Sequence, residues 1–173
     1  MPSLDPILEK LAHAQISFFR AADKIQAEHW NQTPRSGKWS AAQVAAHLMM
    51  VERAILGGAD RITQGPPKPF PFLQRLHWPL WLVRARFVQR VSSLPLDRGA
   101  LGNKEEMLAE LRAVRERTVA FLEETEKRDL TAYRSRHSAL GMLNVYEWFE
   151  MLAFHQLRHT KQIKKLRRSF RKL

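Results

Sequence analysis

Apolar side chains recur along most of the chain at intervals of three and four residues, the period of a helix with one buried face. This spacing predicts five helical segments, at 5–25, 41–57, 79–91, 104–122 and from residue 145 into the C-terminal tail. Prolines and glycines mark the loops between them, and no pair of alternating segments indicates paired strands. The pattern therefore predicts an all-α protein built as a bundle of four main helices with long loops.

Polar residues at the predicted helix starts support these boundaries. Ser40 and Gln43 form a capping-box pattern, in which each side chain satisfies the backbone N–H of the other residue. The same three-residue spacing recurs at two further starts, Asn103 with Glu106 and Asn144 with Glu147. At the other end of the second helix, the pair 57–58 is Gly-Gly, which predicts that this helix stops there.

Length and composition limit the possible classes of protein. The chain has 173 residues, so we expect one domain, a bundle over 1–160, followed by a basic extension of the last helix over 161–173. The absence of cysteine excludes disulfides, thiolate metal sites and cysteine nucleophiles. The N-terminal sequence does not resemble a signal peptide, and no apolar run is long enough to span a membrane. We therefore expect a cytoplasmic protein.

The positive charge is concentrated in two segments. The chain carries a net charge of +12, and the segments 61–104 and 161–173 each contribute +7, while the rest is nearly neutral. Solvated helix faces are the favoured interpretation, because the chain lacks the usual nucleic-acid-binding motifs. The alternative is attraction to nucleic acid or to an anionic membrane surface.

Two of the seven histidines, His155 and His159, lie four residues apart in the last helix. Side chains at this spacing leave the same helix face about 5–6 Å apart, close enough for two imidazoles to bind one metal ion. The zincin motif would require glutamate directly after the first histidine, and Gln156 stands there instead. A surface histidine pair is the alternative.

A third histidine, His47, falls on the apolar face of the second helix. Taken alone, a buried neutral histidine is the favoured interpretation. Taken with His155 and His159, it suggests a three-histidine site between two helices of the bundle. Such a neutral nitrogen donor set favours Zn or Ni, with Fe or Cu as alternatives, and leaves positions open for water or substrate.

Two segments resemble a known family. GKWSAAQVAAHLMMVE, at 37–52, is similar to the segment that opens the second helix in the DinB/YfiT-like superfamily. YEWFEMLAFHQLRHTKQI, at 146–163, is similar to the last helix of that superfamily, with two histidines four apart followed by Gln-Ile. The resemblance implies a four-helix bundle, commonly homodimeric, with a metal bound by His47, His155 and His159.

The resemblance also suggests an activity. Characterised relatives are thiol-dependent, such as bacillithiol or mycothiol S-transferases and a mycothiol-dependent isomerase, while many members have no known activity. We therefore expect a metal-dependent enzyme that activates an external low-molecular-weight thiol to attack a small electrophilic substrate. A hydrolase that activates water at the metal is one alternative. A non-catalytic protein whose basic segments bind nucleic acid or an anionic membrane is another.

Other residues near these segments receive no catalytic role from the sequence. Glu52, Glu147 and Glu150 are the nearest acidic residues, and Glu147 is expected to cap a helix. Gln162, three residues after His159, could orient that ligand or could be a surface amide. Trp39 is expected to pack at the corner between loop and helix.

Overall fold

The computed structural model describes residues 3–34, 38–68, 77–84 and 101–170. Four long helices account for most of this part of the chain: α1 Asp5–Ala22, α2 Ala41–Thr63, α3 Lys104–Glu124 and α4 Val145–Phe170. Short 3-10 turns occur at Ala27–His29, Leu80–Arg84 and Leu130–Ala132. The predicted all-α class and the bundle of four main helices are confirmed. Within the described ranges, no helix is both long and apolar enough to cross a membrane.

The predicted caps are present at three helix starts. The Ser40 hydroxyl accepts from the Gln43 backbone N–H at 3.1 Å, and the Gln43 side chain accepts from the Ser40 N–H at 2.9 Å. Equivalent bonds at the other two starts join Asn103 to the Glu106 N–H, and Asn144 and Glu147 reciprocally. These bonds satisfy backbone N–H groups that a helix end leaves without partners.

The prediction that α2 stops at Gly57-Gly58 is wrong, because the helix continues to Thr63. Ile55, Ala59 and Thr63 keep the buried face of the helix facing the core. A β-carbon at either glycine would meet no atom within 4 Å, so these residues provide no close approach that requires glycine. Burial of the apolar face outweighs the modest helix-breaking tendency of the two glycines.

The absence of paired strands in the prediction is also corrected. Two short antiparallel strands, β1 Arg134–His137 and β2 Gly141–Asn144, form a hairpin directly before α4. Gly141 has a φ of 99°, a backbone conformation that few other residues adopt. Leu140 and Leu143 are fully buried and hold the hairpin against the core. Four-residue strands are too short to produce a clear alternating pattern, which explains the error.

The third predicted helix, 79–91, is described only in part. Its first residues form the 3-10 turn Leu80–Arg84, and Leu80 and Val83 from this turn are buried in the core. Residues 85–91 lie outside the described part of the chain. The predicted basic extension at the other end is helical through Phe170, because α4 continues without a break past residue 160.

The interior contains two apolar clusters, one toward each end of the bundle. Leu11, Leu122 and Phe149 belong to the first, and Phe18 and Leu111 belong to the second. Charged and polar side chains that are almost fully buried lie between the two clusters along the helices. This polar layer comprises Glu52, Arg115, Thr118 and Gln156, each at most 3% exposed.

Candidate metal centre

Two helices bring the three predicted histidines together. His47 lies in the second turn of α2, and His155 and His159 lie on one face of α4. The Nε2 atom of His155 is 3.2 Å from the Nε2 of His47 and 3.2 Å from the Nε2 of His159. One ligand atom from each of the three residues lies within 4.8 Å of the other two.

The spacing of these nitrogens matches the requirements of a metal ion. Two nitrogens bound to one tetrahedral Zn²⁺ at the usual bond length lie about 3.3 Å apart. The two 3.2 Å separations between Nε2 atoms are close to that value. Of the residues that the structure describes, these three form the group that could hold a metal ion.

The environment favours the neutral form of all three rings, which is the form that binds metals. Burial, reinforced by the positive charge of Arg158, lowers the pKa of His47 from 6.5 to about 4. Burial and the neighbouring His47 lower the pKa of His159 to about 3, although its hydrogen bond to Gln162 opposes the shift. Burial and the other two histidines hold the pKa of His155 well below 6.5. The rings are therefore unprotonated at neutral pH.

Gln162 fixes the orientation of one ring. Its Oε1 lies 2.9 Å from Nδ1 of His159, so Nδ1–H donates to the amide and the Nε2 lone pair faces the other histidines. Of the two roles that the sequence left open for Gln162, this contact favours orienting the ligand over a surface amide. The Nδ1 atoms of His47 and His155 are buried without a hydrogen-bond partner.

Trp39 packs on the histidines as well as at the corner before α2. Its indole is stacked with the His159 ring at a centroid distance of 6.3 Å and meets the His47 ring edge-on at 5.1 Å. The adjacent Ser40 caps α2 and thereby fixes where the indole leaves the backbone. Trp39 therefore restricts the rotation of rings from both ligand-bearing helices.

The three acidic residues nearest to the histidine segments in the sequence all have partners outside the histidine group. Glu52 is buried against Arg115, with a shortest distance of 2.6 Å. Glu147 caps α4 and lies 3.1 Å from His77. Glu150 pairs with Lys10 on α1 at 2.6 Å. None of these three carboxylates is bonded to the histidine group.

Sequence reasoning did not identify Arg115, the buried partner of Glu52. Arg115 interrupts the buried face of α3, which runs through Leu108, Leu111, Thr118 and Leu122. The sequence signal that could have identified Arg115 is a charged residue among apolar positions on one helix face. Gln156, at the position of the zincin glutamate, accepts from Arg115 at 2.9 Å and is 1% exposed. Its amide therefore points into the bundle core.

The fold and the histidine geometry agree with a comparison against protein families. A family model for the DinB superfamily matches residues 10–163 of the chain. The chain belongs to the DinB superfamily. This match spans all of α2 and residues 145–163 of α4, so it includes both histidine-bearing segments.

The chain is also similar, over most of its length, to a protein of Bacillus subtilis. The protein is 23% identical over 155 residues to the uncharacterized protein YuaE of Bacillus subtilis (strain 168), covering 89% of this chain and 93% of YuaE. The name of YuaE assigns no activity. No solved structure matches the chain.

Proposed function

We propose that this DinB-superfamily protein binds one divalent transition metal ion through His47, His155 and His159 and is a metal-dependent enzyme acting on a small molecule. The observation that carries the proposal is the convergence of three neutral imidazoles on one point, two of them buried and that of His155 half-buried. Three nitrogen ligands leave further positions open, as in catalytic metal sites, whereas structural zinc sites are closed by four protein ligands. Zn or Ni fits this donor set best, with Fe or Cu as alternatives.

We further propose that the reaction is transfer of a low-molecular-weight thiol to an electrophile. A bound metal ion would supply the chemistry of lowering the thiol pKa, so that thiolate forms at neutral pH. The sulfur would then bond to the electrophilic carbon, the leaving group would depart with its electron pair, and the thiol proton would pass to solvent. Because the chain contains no cysteine, the thiol for this reaction would come from a separate small molecule.

The protein's own residues prepare this site in two ways. Burial keeps the three imidazoles unprotonated, and the Gln162 amide and the Trp39 indole hold ring orientations. The carboxylates of Glu52, Glu147 and Glu150 are bonded elsewhere, so none of these three is assigned as the proton acceptor of the reaction. A homodimer is part of the same proposal.

A conjugation assay tests this function. Untagged protein loaded with Zn²⁺ or Ni²⁺ would be mixed with bacillithiol, mycothiol or other small thiols and a chlorobimane electrophile, with the conjugate quantified by mass spectrometry. We expect accelerated conjugation with at least one thiol and background rates for His155→Ala. Acceleration that survives His155→Ala, or none with any thiol, would contradict the proposal. Ester hydrolysis without thiol would instead indicate the hydrolase.

A further inference from the structure

A network of buried charges crosses the bundle close to the candidate metal centre. Arg115 on α3 is 3% exposed, and Glu52 on α2 is 1% exposed. Gln156 on α4 is likewise 1% exposed, and Thr118 is fully buried. Removing such charges from water is costly, so a buried ion pair requires nearly complete hydrogen bonding to be tolerated.

The Arg115 guanidinium meets this requirement by binding groups on three other helices. Its Nε and one terminal nitrogen donate to the two oxygens of Glu52 at 2.6 and 3.0 Å. The same terminal nitrogen donates to Gln156 Oε1 at 2.9 Å, and the other donates to the Leu11 carbonyl on α1 at 2.7 Å. Thr118 donates to Glu52 at 3.0 Å. All four helices therefore share one network.

Such a network specifies geometry more than it adds stability. Replacing a buried ion pair with well-packed apolar residues is often neutral or stabilising. Apolar contacts between helices tolerate small shifts and alternative packing. A bidentate pair of hydrogen bonds between a planar guanidinium and a carboxylate tolerates little change in distance or angle. The network therefore fixes the positions of α2, α3 and α4 relative to one another.

Both helices that carry the histidines are held by this network at points near the histidines. Glu52 follows His47 by five residues on α2, which corresponds to about 7.5 Å along the helix axis. Gln156 directly follows His155 on α4. A slip of one helix by a fraction of a turn would separate Nε2 atoms that now lie 3.2 Å apart.

We propose that Glu52, Arg115 and Gln156 are positioning residues that hold α2 and α4 in the register required for the three histidines to bind one metal ion. This inference rests on the proposed metal binding. It adds that metal binding requires a fixed register between α2 and α4. Arg115 is central, because its guanidinium bonds to Glu52 on α2 and to Gln156 on α4.

The test compares two Arg–Glu pairs that join the same two helices. Glu52→Leu/Arg115→Met replaces the buried pair, and Arg53→Met/Glu110→Leu replaces an exposed pair, half of whose side-chain surface is accessible. Co²⁺ affinity and the Co²⁺ absorption spectrum would be measured for each protein, and urea unfolding of the metal-free forms would be followed in chelator. A third variant, Arg115→Lys, keeps the positive charge but lacks the planar guanidinium that donates to both oxygens of Glu52.

We expect the buried-pair variant to remain folded, to bind Co²⁺ at least about tenfold more weakly and to show an altered Co²⁺ spectrum, while the exposed-pair variant matches the wild type. If the buried-pair variant does not fold, Arg115→Lys should show the same weakening in smaller degree. A folded variant with wild-type affinity and spectrum would overturn the inference alone. Failure of the wild type to bind Co²⁺ would overturn the proposed metal site itself.

Discussion

At the scale of single residues, the candidate centre depends on keeping three imidazoles uncharged while their Nε2 atoms face one another. His159 has a partner for its other nitrogen in Gln162, whereas the Nδ1 atoms of His47 and His155 are buried without one. Protonating any of the rings would place a buried charge beside Arg158, whose charge already lowers the pKa of each ring. The metal-free protein should therefore be sensitive to acid.

This sensitivity has a defined direction. The pKa of His47 is about 4 in the folded chain and 6.5 by default, so between these values the unfolded chain binds more protons. The free energy of unfolding should be at its full value above pH 6.5 and should fall as the pH drops toward 4. Urea titrations in chelator at several pH values would measure this. His47→Gln should show a shallower fall, and an unchanged slope would contradict the assignment.

At the scale of helices and strands, apolar spacing and capping pairs were sufficient to predict α1, α2, α3 and α4. The same spacing also indicates the buried polar layer, because it places two charged residues on the buried faces of helices. Arg115 occupies a buried-face position of α3, and Glu52 occupies the equivalent position of α2 between Leu48 and Ile55. The sequence does not show that these two side chains meet, because their pairing depends on how the helices are packed.

Local glycine preferences misled the prediction at α2, whereas a glycine of the hairpin adopts a backbone conformation that does require glycine. Gly57 is helical with open space around it, while Gly141 has a φ of 99° at the start of β2. Gly57→Ala should therefore raise the free energy of unfolding by about 0.5–1 kcal/mol. Gly141→Ala should lower it by roughly 1–3 kcal/mol. Chemical denaturation of both variants measures the contrast, and a neutral Gly141→Ala would contradict the hairpin geometry.

At the scale of the whole molecule, the positive charge and the candidate centre occupy different parts of α4. Exposed cations cover the outer face of its last turns: Lys161, Lys164, Lys165 and Arg168. Ile163 and Leu166, between them, are buried in the core. Truncation at residue 161 would therefore damage the fold. Binding of nucleic acid or anionic lipid stays a prediction, and substituting those four cations tests it without removing core residues.

The bundle and its three histidines were predictable because helical spacing and i, i+4 geometry depend on nearby residues. The position of His47 on the apolar face of α2 and the family resemblance both suggested its approach to His155, but a contact between residues 108 positions apart depends on tertiary packing. For the same reason, the Glu52–Arg115 pair and the contact of Trp39 with two histidines emerged only from the folded chain.

Metal content of the untagged protein tests the central claim most directly. The chain would be purified without a histidine tag from cells supplied with Zn²⁺ and Ni²⁺, and elemental analysis would give the metal-to-protein ratio. His155→Ala is the informative variant, because the His155 Nε2 lies 3.2 Å from both other ligand nitrogens. We expect about one ion per chain in the wild type and almost none in His155→Ala. A metal-free wild type, or equal metal in a folded His155→Ala, would contradict the account.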